Sequence, residues 1–187
     1  MEIIKTEIEG VCLIKPRVFN DSRGYFFESY SKRELDEKLG YEVNFVQDNE
    51  SKSTFGVMRG LHFQRPPFCQ AKLVRCTRGK VLDVAVDLRV SSPTYGKHVA
   101  ALLSEDNHHA LFIPHGFAHG FVVLSPTAVF QYKCDDYYHR EAEGGISILD
   151  ETLGIDWQID SSKAILSDKD LHNPLLKDFD SPFTMQD

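Results

Sequence analysis

Apolar-rich stretches of about four to nine residues, bounded by turn residues, recur along most of this 187-residue chain, the pattern of short extended strands whose successive side chains point to opposite faces. Ten stretches fit: GYFFESY (24–30), VNFVQD (43–48), GVMRGLHF (56–63), AKLVRCTR (71–78), VLDVAVDLR (81–89), HVAALLS (98–104), ALFIP (110–114), HGFVVLS (119–125), AVFQYKC (128–134) and ISILD (146–150). Turn chemistry such as RPP, SSPTYG, SEDN, PHG and EGG separates them. One stretch keeps helical spacing instead. In SKRELDEKLG, Ser31 is the N-cap, Glu34 its capping-box partner, Leu35 and Leu39 lie four apart and Gly40 is the stop, which predicts a short surface helix.

Many short strands with almost no helix between them predict an antiparallel sandwich or barrel and argue against βαβ winding. No repeat, low-complexity tract or linker interrupts the chain, so residues 1–187 read as one domain. The stretch from Ser161 onward, with SDKD and NPLL, is less regular and is expected to pack over the barrel.

Strand phase sorts side chains by face. In VLDVAVDLR, Leu82, Val84, Val86 and Leu88 form an apolar set with Asp83 and Asp87 opposite, the pattern of a half-buried strand. In AKLVRCTR, Lys72 is in phase with Val74 and Cys76; in AVFQYKC, Tyr132 is in phase with Ala128 and Phe130. A lysine and a tyrosine facing an apolar interior imply a partly polar lumen, and a small barrel of about eight strands has room for one small ligand.

The formal net charge of −7, from 28 acidic and 21 basic side chains, argues against a nucleic-acid or anionic-membrane partner, because both reward a basic face. An anionic ligand must therefore meet a local cation cluster. RGLHFQRPPFCQAKLVR (59–75) supplies one, with a histidine, a lysine and three arginines. Cys12, Cys69, Cys76 and Cys134 form no CxxC pair, which suggests neither a zinc knuckle nor a redox dithiol and reads as reduced thiols of a cytosolic protein. MEIIKTEIEGVCLIKP lacks the charge pattern of a signal peptide, and no apolar run approaches 18 residues, so a cytoplasmic protein is expected.

Pro114-x-Gly116-x-x-His119 resembles the second half of the cupin pattern. The first half is incomplete: Gly56 precedes His62 by six positions, but Gln64 stands at the second histidine position and no glutamate follows. His62, His115 and His119 could hold a first-row metal, yet glutamine is a poor ligand and the carboxylate is missing, so no metal is expected.

The segments DSRGYFFESY, FVQDNESKS, GVMRGLHFQ, QAKLVR, DVAVDLR, SPTYG, IPHGFAHGF, QYK and SDKD, in this order over roughly residues 15 to 172, resemble the dTDP-4-dehydrorhamnose 3,5-epimerase family. The resemblance implies an all-β, antiparallel jelly-roll (cupin) barrel without catalytic metal or cofactor. It also implies a homodimer and, as substrate, dTDP-4-dehydro-6-deoxyglucose on the route to dTDP-rhamnose. Carbons 3 and 5 of that sugar flank the keto group. Each C–H can be removed if the enolate is stabilised and a proton is returned on the opposite face.

By resemblance, His62 is the base, Asp170 fixes its tautomer, Lys72 faces the developing oxyanion and Tyr132 is the proton donor on the other face. Arg23, Arg59, Lys169, Glu28, Gln47, Asp48, Asn49, His119 and Glu143 fall on substrate-contacting positions. Phe19 and Tyr138 match aromatics that sandwich the thymine ring, Phe19 coming from the partner subunit. The chain departs from the family with Ile148 at a tryptophan position and with the PPFCQ loop. An epimerase acting at one carbon alone, a non-catalytic nucleotide-sugar binder and a metal-dependent cupin remain alternatives to the double epimerase.

Overall fold

The computed structural model describes residues 1–185, and local chemistry accounts for its one α-helix, α1 (Lys32–Leu39). Ser31 Oγ accepts the Glu34 N–H, and Gly40, at φ +85°, donates its N–H to Asp36 O. The capping box is half-formed, because the Glu34 carboxylate pairs with the Met1 amino group.

The strands are β1 (Glu2–Lys5), β2 (Cys12–Lys15), β3 (Phe19–Asp21), β4 (Gly24–Phe26), β5 (Gln47–Thr54), β6 (Met58–Gln64), β7 (Lys72–Arg78), β8 (Lys80–Asp87), β9 (His98–Ser104), β10 (Ala110–Ile113), β11 (Phe117–Val123), β12 (Thr127–Cys134) and β13 (Glu143–Gly145). They build an antiparallel six-stranded sheet, β1-β2-β10-β7-β12-β5, a five-stranded sheet, β13-β6-β11-β8-β9, and a separate β3-β4 hairpin. Side chains from both large sheets meet in one core, among them Val74, Leu111 and Phe130 from the first and Val81, Ala85, Phe117 and Phe121 from the second. This face-to-face antiparallel arrangement is the expected jelly-roll architecture.

Several expected elements moved. β1, β2, β3 and β13 lie where no strand was expected, ISILD (146–150) forms no strand, and only residues 24–26 of GYFFESY form one. β5 begins four residues later than its prediction. Its sequence, QDNESKST, has no apolar alternation, yet its burial alternates through Asn49, Ser51 and Ser53, because its inner face borders a polar cavity.

β8 corrects the expectation of a half-buried strand: Asp83 and Asp87 are fully buried. Leu82, Val84, Val86 and Leu88 pack outward into a second core closed by Ile148, Leu153, Trp157, Leu166 and Phe183, so the chain after β13 covers the outer face. Asp83 and Asp87 share the inner face with Val81 and Ala85. Ile148, at the family's tryptophan position, is an ordinary member of that outer core. A third cluster on the far side of the six-stranded sheet packs Leu35 of α1 against Leu73, Ala110 and Phe112.

A break in strict alternation shapes the cavity wall. The ladder between β11 and β6 shifts between the pairs His119–His62 and Phe121–Arg59, as at a bulge. Arg59 and His62, three residues apart and expected on opposite faces, consequently line the same cavity. Gly60 makes this possible: its φ is +136°, and a Cβ there would stand 2.5 Å from Gly120 Cα.

Candidate active site

Between the sheets lies a cavity of about 540 Å³, large enough for a small ligand. The five-stranded sheet contributes Arg59, His62 and His119, the six-stranded sheet Asn49, Lys72, Phe130 and Tyr132, and the C-terminal segment Ser167, Lys169 and Asp170. His62 and Tyr132 therefore approach the cavity from opposite sheets. Lys72 points inward, as its phase with Val74 and Cys76 requires.

Asp170 reaches His62 through the irregular C-terminal segment. That segment is clamped to the sheet by Met58 N–H to Ile165 O (2.9 Å) and Ile165 N–H to Gly56 O (2.9 Å). Gly56 must be glycine for this, since a Cβ would lie 2.2 Å from Lys163 O. Asp170 Oδ1 is then 2.5 Å from His62 Nε2. Burial would raise the pKa of Asp170, but the hydrogen bond and charge of His62, with help from Ser167 and the Gly60 N–H, bring it below the ordinary carboxylate value. An ionised Asp170 makes Nε2 the donor and leaves Nδ1 of a neutral imidazole free to take a proton.

Burial pushes the Lys72 pKa down, opposed by Cys134, Asp83 and Glu143. Burial pushes Tyr132 up, which keeps the phenol protonated and able to donate. His119 stands opposite His62 in the ladder, and its Nε2 lies 2.8 Å from Asp83 Oδ2. Asp83 is the site residue that sequence reading missed. Its signal was its phase with Val81 and Ala85, an interior face on which an aspartate needs a reason.

At the mouth, Tyr138 Oη donates to Glu143 Oε2 (2.8 Å) and Lys169 Nζ pairs with Glu143 Oε1 (2.5 Å). Gln47 Oε1 accepts the Tyr138 N–H (3.2 Å), and Gln47 Nε2 donates to Asn49 Oδ1 (3.0 Å). Arg59 Nε donates to Ser53 Oγ at 3.2 Å. Besides Gln47, Tyr138 and Glu143, which are linked to the lining residues Asn49 and Lys169 without lining the cavity themselves, four expected substrate contacts stay outside it within one chain. Asp48 turns to the opposite face of β5 and pairs with Lys133 (2.8 Å). Arg23 pairs with Asp21 (2.6 Å) on the β3-β4 hairpin, Phe19 on that hairpin is 49% exposed, and Glu28 is solvent-facing.

The three histidines of the metal alternative go separate ways: His62 pairs with Asp170, His115 with Asp135 and His119 with Asp83. Among the described residues no group of three or more His, Cys, Asp or Glu side chains is arranged to hold a metal ion.

Known proteins resemble this chain in sequence and fold. The dTDP-4-dehydrorhamnose 3,5-epimerase of Escherichia coli K12 is 55% identical over 170 residues, 91% of either chain. The dTDP-6-deoxy-D-glucose-3,5-epimerase of Legionella pneumophila, solved with dTDP-4-keto-L-rhamnose, superposes with a TM-score of 0.91 at 47% identity, covering 96% of this chain and 94% of its own. A 3'-monoepimerase of Streptomyces bikiniensis, solved with dTDP-quinovose, superposes with a TM-score of 0.87 at 32% identity, over 92% and 86% of the two chains. With the sequence model of the dTDP-4-dehydrorhamnose 3,5-epimerase family matching residues 5–178, the chain belongs to that family.

Proposed function

We infer that the protein epimerises carbons 3 and 5 of dTDP-4-dehydro-6-deoxyglucose, giving dTDP-4-dehydrorhamnose. The observation that carries this reading is the pairing of a histidine held by a carboxylate on one sheet, His62 with Asp170, with a phenol, Tyr132, on the other. His62 Nδ1 takes the proton from the carbon beside the keto group, and the electron pair moves onto the carbonyl oxygen. Lys72 neutralises that oxygen as charge develops. Tyr132 returns a proton to the same carbon from the opposite face, inverting it, and exchange with water restores both residues. All of these transfers are assigned to side chains of the chain itself.

Arg59 and Lys169 are assigned to the nucleotide-sugar diphosphate, whose oxygens suit arginine forks, and Tyr138 to the thymine ring. His119, Gln47, Asn49 and Glu143 surround the sugar end. Phe19, Arg23 and Glu28 act from a second subunit of a homodimer. This is supported by the exposed aromatics of their segment, Phe19, Tyr25 and Phe26 at 49%, 61% and 67%, a patch of the kind that marks an interface. Among the described residues no helix is long and apolar enough to cross a membrane, and the unbridged thiols of Cys12, Cys76 and Cys134 suit the reducing cytoplasm we assign to it.

Similarity to the Streptomyces monoepimerase favours a second reading, inversion at one carbon alone. Incubating the protein with the keto sugar in deuterated water separates the two. Deuterium at both carbons is expected; label at one carbon selects the monoepimerase, and label at neither overturns the activity.

A further inference from the structure

Asp83 has no part in the proton transfers above, yet it is wholly buried beside the groups that perform them. Its Oδ2 holds His119 Nε2 at 2.8 Å, and its Oδ1, also buried, has no hydrogen-bond partner among the described residues. A buried carboxylate oxygen without a donor is costly and calls for a compensating cation. Lys72 is that cation. Burial pushes the Asp83 pKa up, opposed by the charge and hydrogen bond of His119 and by the charge of Lys72, while the Lys72 side chain makes no hydrogen bond or ion pair of its own among the described residues.

We propose that Asp83 is a positioning residue for the epimerisation, which orients His119 through Oδ2 and holds Lys72 in its ammonium form through the field of its unpartnered Oδ1. The inference rests on the epimerase reading and adds to it the residue that keeps the enolate's counter-charge charged. An ammonium drawn out of water loses its proton more readily, and the enolate is stabilised only by the protonated form. Asp83 opposes that loss from β8. The titratable groups that act on this pair are His119 from β11, Cys76 from β7, Cys134 from β12 and Glu143 from β13, and Arg59 and His62 from β6, Tyr132 from β12 and Lys169 and Asp170 from the C-terminal segment line the cavity with Lys72. Cys134 has its thiol pushed up to about 11 by burial, which leaves it uncharged near neutral pH. Asp83 and Glu143 are thus the carboxylates available to Lys72, and Glu143 is already paired with Lys169.

The test compares wild type, D83N, K72R and the double variant across pH with the dTDP-keto sugar as substrate. Wild-type turnover must be seen first; without it the epimerase reading itself fails. Asparagine keeps an acceptor for His119 but removes the charge. In D83N the alkaline limb of kcat should move toward lower pH by about one to two units, with kcat at pH 8 reduced about tenfold and KM nearly unchanged. In K72R, whose guanidinium does not titrate in this range, adding D83N should no longer move the limb. An unmoved limb in D83N, or an equal shift in both backgrounds, overturns the proposal. Should D83N fail to fold, the Lys72 Nζ resonance of 15N-lysine-labelled wild type decides: an ammonium at pH 7 supports the role, and a neutral amine overturns it.

Discussion

His62 and His119 line the same cavity, each with its Nε2 against an aspartate carboxylate, and the two pairs differ in what closes around them. His62 is 29% exposed, and its partner Asp170 comes from an irregular segment 108 residues away. His119 is 9% exposed, and its partner Asp83, fully buried, sits on a neighbouring strand of the same sheet. A base that must exchange its proton with water between turnovers needs the open position. A rigid, closed pair suits orientation and charge balance. Identical chemistry therefore takes different roles according to solvent access and the stiffness of the element that holds it.

The strongest way to break this contrast is H62A. Turnover should fall at least about 100-fold while dTDP, measured by calorimetry, still binds; undiminished turnover would end the distinction between the pairs. D170N should follow with a loss of about tenfold to a hundredfold, since the imidazole survives without its anionic partner.

Asp170 also sharpens the comparison through pH. Its pKa is lowered on folding, so the stability it supplies is complete above the ordinary carboxylate value of about 3.9 and is lost as pH falls through the lower folded value. The difference in urea midpoint between wild type and D170N should hold steady above about pH 5 and shrink below about pH 4.

G56A tests the open pair from a distance. An alanine at φ +79° facing Lys163 O should destabilise the protein by about 1–3 kcal/mol and lower kcat by displacing Asp170, leaving the His119–Asp83 contact in place. An unchanged kcat would show that the clamp does not position Asp170. D48A should have the smallest effect, with kcat and KM within about twofold of wild type, because Asp48 is 71% exposed and faces Lys133 outside the cavity. A large loss would mean that a second subunit brings the site to Asp48.

Local chemistry along the chain was enough to put Lys72 and Tyr132 on an inner face and to mark where α1 starts and stops. Lys72 and Tyr132 could be placed on the inner face because period two is a property of the extended backbone, and Ser31 and Gly40 mark the helix because capping is chemistry within a few residues. Alternation does not say what covers a face. Asp83 looked solvated until the chain after β13 closed the outer side of β8, while its inner side, with Val81 and Ala85, packs into the core between the sheets. Nor does alternation survive a bulge, which brought Arg59 beside His62. QDNESKST became β5 because its partner strand and a polar cavity reward hydrogen bonding without hydrophobic burial. The meeting of His62 with Asp170 was decided by the tertiary structure, since only packing of the C-terminal segment against Gly56 closes a separation of 108 residues.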